Sequence, residues 1–208
     1  MKNFDLSLYL VTDSTGISDE IFYKKIDDAI SGGVTIVQLR EKTADDDMFL
    51  KKAKAVKEIC KNRVPFIIND RVDIAKAIDA DGVHLGENDM SVKAARKILG
   101  DDKIIGKTAK TVKSALLSQS EGANYFGIGA FFATGTKSDA LVLNPSDIKK
   151  VNMSVNIPSV GIGGLTYENM DIISGTGISG IAVSSAIMKS DFPKDRAKEL
   201  KEKFISVI

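Results

Sequence analysis

The feature that most constrains this chain is an alternation repeated eight times. A short, mostly apolar run ends in a polar or glycine-rich cluster, and a segment with apolar residues at helical spacing follows. The runs fall at residues 8–11, 34–39, 65–68, 82–85, 103–105, from 125 onward, 157–160 and 180–183. Runs without polar alternation are buried on both faces, which is the mark of a parallel sheet covered by helices. Eight such units in 208 residues, about 26 residues each, predict an α/β fold: a closed (β/α)8 TIM barrel at the small end of its size range, with residues 1–208 forming a single domain. An open doubly wound sheet is the alternative, but the first strand lacks the glycine-rich dinucleotide turn of that fold. No unit repeats another closely enough for a solenoid.

Phe22, Ile26, Ala29 and Ile30 share one face of a helix predicted over 19–31, closed by Gly32-Gly33. Thr43 and Asp46 have capping-box spacing and open a helix whose Phe49, Ala53, Val56 and Cys60 share a face, which makes Cys60 a core residue. Ser91 is placed to cap a helix through Leu99. Further helices are expected over 72–78, 111–120, 146–151, 166–175 and 193–206. His84 falls inside the fourth strand, where packing or hydrogen bonding is its expected role.

Charge and composition narrow the chemistry. The 29 basic and 28 acidic residues leave a net charge of +1, so neither nucleic acid nor an anionic membrane is an expected partner. Any attraction for anions must be local. With one cysteine, Cys60, and one histidine, His84, an intrachain disulfide and a cysteine metal cluster are excluded, and a Ser-His-Asp triad fits poorly. The N-terminus lacks a signal-peptide apolar core, and no run reaches the roughly 18 apolar residues of a membrane span. A cytoplasmic protein is the expectation; assembly into a homo-oligomer stays open.

In a barrel, the C-terminal strand ends converge on the face that carries catalysis. The sequence places Gln38, Arg40 and Lys42 there after the second strand, Asn69 and Asp70 after the third, Asp89 after the fourth and Thr108 after the fifth. Thr134, Thr136 and Lys137 follow the sixth strand, Gly163 and Gly164 the seventh, and Ser184 and Ser185 the eighth. Three cations and two carboxylates in one mouth suggest a metal-bound polyphosphate. Mg²⁺ takes one or two protein carboxylates and completes its octahedron with water and phosphate oxygens. Asp70 and Asp89 follow adjacent strands, as such a pair must, although either could instead cap the next helix.

The stretch from Ala133 is small, hydroxylated and glycine-containing around Lys137, which suits an oxyanion; an ordinary polar surface loop has the same composition. Gly161-Ile-Gly-Gly164 is a weak motif alone, but it follows the seventh strand, where barrels often hold a phosphate, and Ser184-Ser185 adds hydroxyls. Two anion sites in one mouth suggest a transferase that joins two phosphorylated partners and releases pyrophosphate.

Leu8-Tyr-Leu-Val-Thr-Asp13, Gly33-x-x-x-Val-Gln-Leu-Arg-Glu-Lys42, Ile68-Asn-Asp-Arg71, Asp81-Gly-Val-His-Leu-Gly86, Thr134-x-Thr-Lys-x-Asp-Ala140 and Gly161-Ile-Gly-Gly164 occur in that order. Together they resemble the thiamin-phosphate synthase family over residues 8 to about 187. The resemblance implies a TIM barrel that couples a hydroxymethylpyrimidine diphosphate to a hydroxyethylthiazole phosphate by a dissociative, Mg²⁺-assisted substitution. It implies that Gln38, Arg40, Lys42, Asn69, Thr108 and Lys137 hold the pyrimidine diphosphate and that Asp70 and Asp89 hold Mg²⁺. Thr134, Thr136, Gly163, Gly164, Ser184 and Ser185 would hold the thiazole phosphate, with Lys137, Arg40 and Lys42 neutralising the leaving group.

Several positions depart from that family's pattern. Thr108 stands where Ser is usual, Lys107 where an apolar residue is common, and Glu87 where Gln is usual; Ala133 and Gly135 stand where Pro is frequent. The nearest rival is a thiazole tautomerase paralogue, against which the retained Asp70, Asp89, Arg40, Lys42 and Lys137 count. A non-catalytic phosphate-ligand sensor would be expected to carry a helix-turn-helix or basic arm. A sugar-phosphate isomerase would need a general base at a strand end.

Overall fold

A computed structural model describes residues 4–42, 44–133 and 142–208. Eight parallel strands close into a barrel in chain order, each followed by helix or a helical turn. The order is β1 Leu8–Val11, α1 Asp19–Ser31, β2 Ile36–Leu39, α2 Asp46–Cys60, β3 Phe66–Asn69, α3 Val72–Ala77, β4 Gly82–Leu85 and α4 Val92–Leu99. Then come β5 Ile104–Thr108, α5 Val112–Ser120, β6 Tyr125–Ile128, α6 Pro145–Met153, β7 Ser159–Ile162, a 3-10 turn Met170–Ile173, β8 Gly180–Val183, α7 Ser185–Met188 and α8 Pro193–Val207. The expected (β/α)8 architecture is the observed one.

Two concentric cores follow from the pleat. Successive side chains on a strand point to opposite faces. Leu8, Leu10, Val37, Leu39, Phe66, Ile68, Val83, Leu85, Ile105, Phe126 and Ile128 pack outward against the helices. Tyr9, Val11, Ile36, Ile67, Ile104, Tyr125, Val160 and Ala182 fill the interior. Because most strands are four residues long, each sends only about two side chains inward, so one polar layer already occupies much of the barrel. Cys60 lies in the outer core at 1% exposure, and burial pushes its thiol up to about 12.

Local differences from the sequence expectation have local causes. The α2 cap is Asp45, whose side chain accepts from Met48 N; Thr43 lies outside the described residues. β7 begins at Ser159 rather than 157, and β5 continues to Thr108. The helix expected over 166–175 reduces to the 3-10 turn, because Asn169 Oδ1 takes the Thr166 N–H and its Nδ2 donates to Gly164 O. No helix among the described residues is long and apolar enough to cross a membrane.

Candidate active site

The floor of the mouth is a hydrogen-bonded chain inside the barrel. Gln38 Nε2 donates to Tyr9 Oη at 2.7 Å, Tyr9 Oη meets Tyr125 Oη at 2.8 Å, and Tyr125 Oη meets His84 Nδ1 at 3.0 Å. His84 Nε2 lies 3.2 Å from Thr108 Oγ1. Each phenol, the imidazole and the Thr108 hydroxyl can donate or accept, so the chain runs unbroken from the Gln38 amide to the Thr108 hydroxyl. Burial raises both tyrosine pKa values, so the phenols stay neutral. A Cβ on Gly106 would enter the Tyr125 ring, so glycine there makes the room that Tyr125 occupies.

Above the floor, Thr12 is fully buried and braces the β2 exit: its N–H donates to Gln38 O at 2.9 Å, and its Oγ1 accepts from Arg40 N at 3.1 Å. Glu41 turns inward, its side chain only 5% exposed, to pair with Lys52 at 3.3 Å. Lys52 also lies 5.3 Å from the Phe22 ring centroid. A buried pair of this kind fixes geometry more than it adds stability. It anchors the segment that carries half-buried Arg40 and exposed Lys42 at the rim.

Asp70 and Asp89 converge from β3 and β4. A Cβ on Gly86 would lie 2.7 Å from Asp89 Oδ2 and 3.9 Å from Asp70 Oδ1. Neither aspartate is the next helix's N-cap: α3 starts from Arg71 without a side-chain cap, and α4 is capped by Ser91, whose side chain accepts from Ala94 N. Asp89 Oδ2 instead accepts the Gly86 N–H at 2.6 Å. Asp70 sits at φ 63°, a left-handed conformation that Asp tolerates better than most residues, and its N–H donates to His84 O at 2.9 Å. Asn69, the last residue of β3, is paired in register with His84. No group of three or more His, Cys, Asp or Glu side chains forms a metal cluster among the described residues. Two hard carboxylates fit Mg²⁺, whose remaining positions phosphate oxygens and water would fill.

The opposite side of the mouth is backbone. Gly163 and Gly164 adopt φ 101° and 69°. A Cβ on Gly163 would lie 2.6 Å from Ala130 Cβ, and one on Gly164 would lie 2.7 Å from Phe132 Cβ. The pair packs on the residues leaving β6, where Phe132 N donates to Gly163 O at 3.1 Å. Leu143 N donates to Ala130 O at 2.8 Å, joining the two described ends of that connection. Thr134, Thr136 and Lys137 lie outside the described residues. Ser184 heads α7 without a side-chain cap bond, and exposed Ser185 follows it.

Sequence reasoning missed Tyr9, Tyr125 and the Glu41–Lys52 pair as parts of the site. A tyrosine inside an apolar strand was the available signal, since a buried phenol needs a partner. It also left Lys107 and Glu87 without roles. Lys107 Nζ donates to Gly86 O at 2.7 Å, and Glu87 pairs with Lys110 at 3.0 Å.

Comparison with known proteins agrees with this fold. The sequence model of a family described as thiamine monophosphate synthase matches residues 8–187. A thiamine-phosphate synthase from Methanobrevibacter smithii is 48% identical over 205 residues, covering 98% of each chain. One from Clostridium acetobutylicum is 47% identical over 199 residues, covering 95% of this chain and 94% of its own. Among solved structures, a thiamine phosphate pyrophosphorylase from Pyrococcus furiosus superposes with a TM-score of 0.88 at 34% identity, covering 98% of this chain and 97% of its own.

Proposed function

The chain belongs to the thiamine monophosphate synthase family, and from that premise we propose that it joins a 4-amino-2-methyl-5-hydroxymethylpyrimidine diphosphate to a hydroxyethylthiazole phosphate, giving thiamin phosphate and pyrophosphate. The observation that supports this most is the convergence of Asp70 and Asp89 over Gly86, next to a hydrogen-bonded floor built on two neutral phenols. The first suits a metal-bound diphosphate and the second a flat heteroaromatic ring.

In this proposal Gln38, Asn69 and Thr108 orient the pyrimidine, while Arg40, Lys42 and Lys137 surround the diphosphate. The carbon–oxygen bond between the ring methylene and the diphosphate breaks, and its electron pair leaves on pyrophosphate. The ring amino group delocalises the resulting cation until the thiazole nitrogen forms the new carbon–nitrogen bond with its lone pair. No proton need move, which agrees with a site whose one histidine is held between Tyr125 and Thr108. Mg²⁺ bound by Asp70 and Asp89 would supply charge to the departing oxygens. The cations act because negative charge grows on the leaving group in the transition state. Gly163, Gly164, Ser184 and Ser185, with Thr134 and Thr136, hold the thiazole phosphate so that its ring nitrogen faces the methylene.

Single-turnover pyrophosphate release tests this. Release should require both substrates and Mg²⁺ together, and Lys137→Ala should lower turnover by roughly 10²-fold while weakening pyrimidine diphosphate binding less. Tautomerisation of a thiazole carboxylate phosphate without any coupling would replace the proposal with the paralogous activity.

A further inference from the structure

Lys107 lies on β5, paired in register with Leu85 and Phe126, whose side chains pack toward the helices. An apolar residue would be the simple choice for that face. Its ammonium reaches forward over the loop that follows β4 and donates to Gly86 O at 2.7 Å, Met90 O at 3.2 Å and, more weakly, Asp89 O at 3.4 Å. An ammonium has three donors and no acceptor, and these three carbonyls match it. Gly86 O also receives the Asp89 N–H at 3.2 Å, while Gly86 N donates to Asp89 Oδ2 at 2.6 Å. The loop is thus folded around Lys107, with Asp89 as its turning point.

We propose that Lys107 is a positioning residue: it holds the 86–90 loop in the shape that presents Asp89 toward Asp70, so the carboxylate pair is arranged before any ligand arrives. This rests on the assignment of Asp70 and Asp89 as Mg²⁺ ligands. Carbonyl dipoles that crowd in a tight turn repel one another, and a cation at their centre offsets that repulsion. Partial burial penalises the charged ammonium, while Asp89, Glu121, Glu87 and Asp70 favour it. A second, outer tie joins Glu87 to Lys110, just beyond the end of β5, at 3.0 Å; with side-chain exposures of 45% and 28% it adds little in water. The two sequence departures therefore belong to one device, in which the β5 exit straps the β4 exit. The rival effect is simple charge: a lysine close to a metal site would oppose a divalent cation, and removing it would tighten binding. The two effects have opposite signs.

The test uses the metal-free protein and then Mn²⁺ as the probe ion. Lys107→Met keeps an apolar stem and removes the donors; Lys107→Gln keeps two donors without charge and serves as the second variant if Met folds poorly. In hydrogen exchange of metal-free protein, the Gly86 and Asp89 amides of Lys107→Met should exchange at least about tenfold faster than in wild type, with the other strands unchanged. Mn²⁺ titrated by electron paramagnetic resonance should bind about tenfold more weakly, with Lys107→Gln in between. Unchanged loop exchange, or tighter Mn²⁺ binding in Lys107→Met, would overturn the positioning role. A wild-type protein that takes up no Mn²⁺ either alone or with pyrophosphate present would overturn the carboxylate assignment itself, whereas equal uptake by wild type and variant would overturn only the part given to Lys107.

Discussion

From β2 to β5 the mouth is lined by polar groups that others hold in place: the Gln38 side chain by Tyr9, the Thr108 hydroxyl by His84, the Arg40 backbone by Thr12, and the Asp89 carboxylate by Gly86 within a loop that Lys107 ties. From β7 to β8 it is lined by two left-handed glycines and a pair of serines, and a side chain at either glycine would collide with Ala130 or Phe132. The first side offers charge, donors and acceptors of fixed direction. The second offers close approach to backbone. Such a division suits two ligands with different electrostatic histories. A leaving diphosphate gains charge during reaction and profits from groups whose interaction can grow. A phosphate that only anchors its substrate needs steady dipoles and a snug fit.

The comparison is open to attack from both sides. The largest effect should come from Asp70→Asn or Asp89→Asn, which should each lower coupling by roughly 10²–10³-fold with an unchanged circular dichroism spectrum, since α3 and α4 start from other residues. Loss of helix instead of loss of rate would return these residues to a structural role. Next, Gly163→Ala should lower the stability measured by denaturant unfolding. A non-glycine residue in that backbone region costs about 1–3 kcal/mol, and the crowding against Ala130 Cβ and Cα, at 2.6 and 2.8 Å, adds to it. Full stability and full affinity for the thiazole phosphate would mean that this side does not depend on close backbone approach.

A smaller effect is expected from Tyr125→Phe. It strips one partner from both Tyr9 and His84, which should cost about 1–3 kcal/mol and loosen pyrimidine binding more than thiazole phosphate binding. The smallest should come from Glu87→Gln, which breaks the exposed pair with Lys110 and should change stability by no more than about 1 kcal/mol.

How much of this was legible in the sequence depended on distance along the chain. The barrel was legible because each strand–helix unit carries its own pattern of burial, as residues 19–31 show. β7 was misplaced by two residues because Ile157 and Pro158 are apolar, yet Pro158 contributes a carbonyl to Phe126 N and has no N–H to give. A helix is expected over 166–175, but Asn169 spends its side chain on nearby backbone. Within the site, residue types at strand ends were readable, because the fold brings those ends together. The partners that fix them were not: Tyr9 and Tyr125 meet across 116 positions of sequence. Nor was the use of Lys107, whose partners are carbonyls and leave no mark in residue identity.

The division of the mouth is tested most directly by calorimetric binding of each substrate alone, in wild type and Asp89→Asn, with Mg²⁺ and with chelator. The pyrimidine diphosphate should lose at least about tenfold in affinity when either the metal or the carboxylate is removed, while the thiazole phosphate should stay within about twofold throughout. Equal losses for both substrates, or no loss for the diphosphate, would contradict the account.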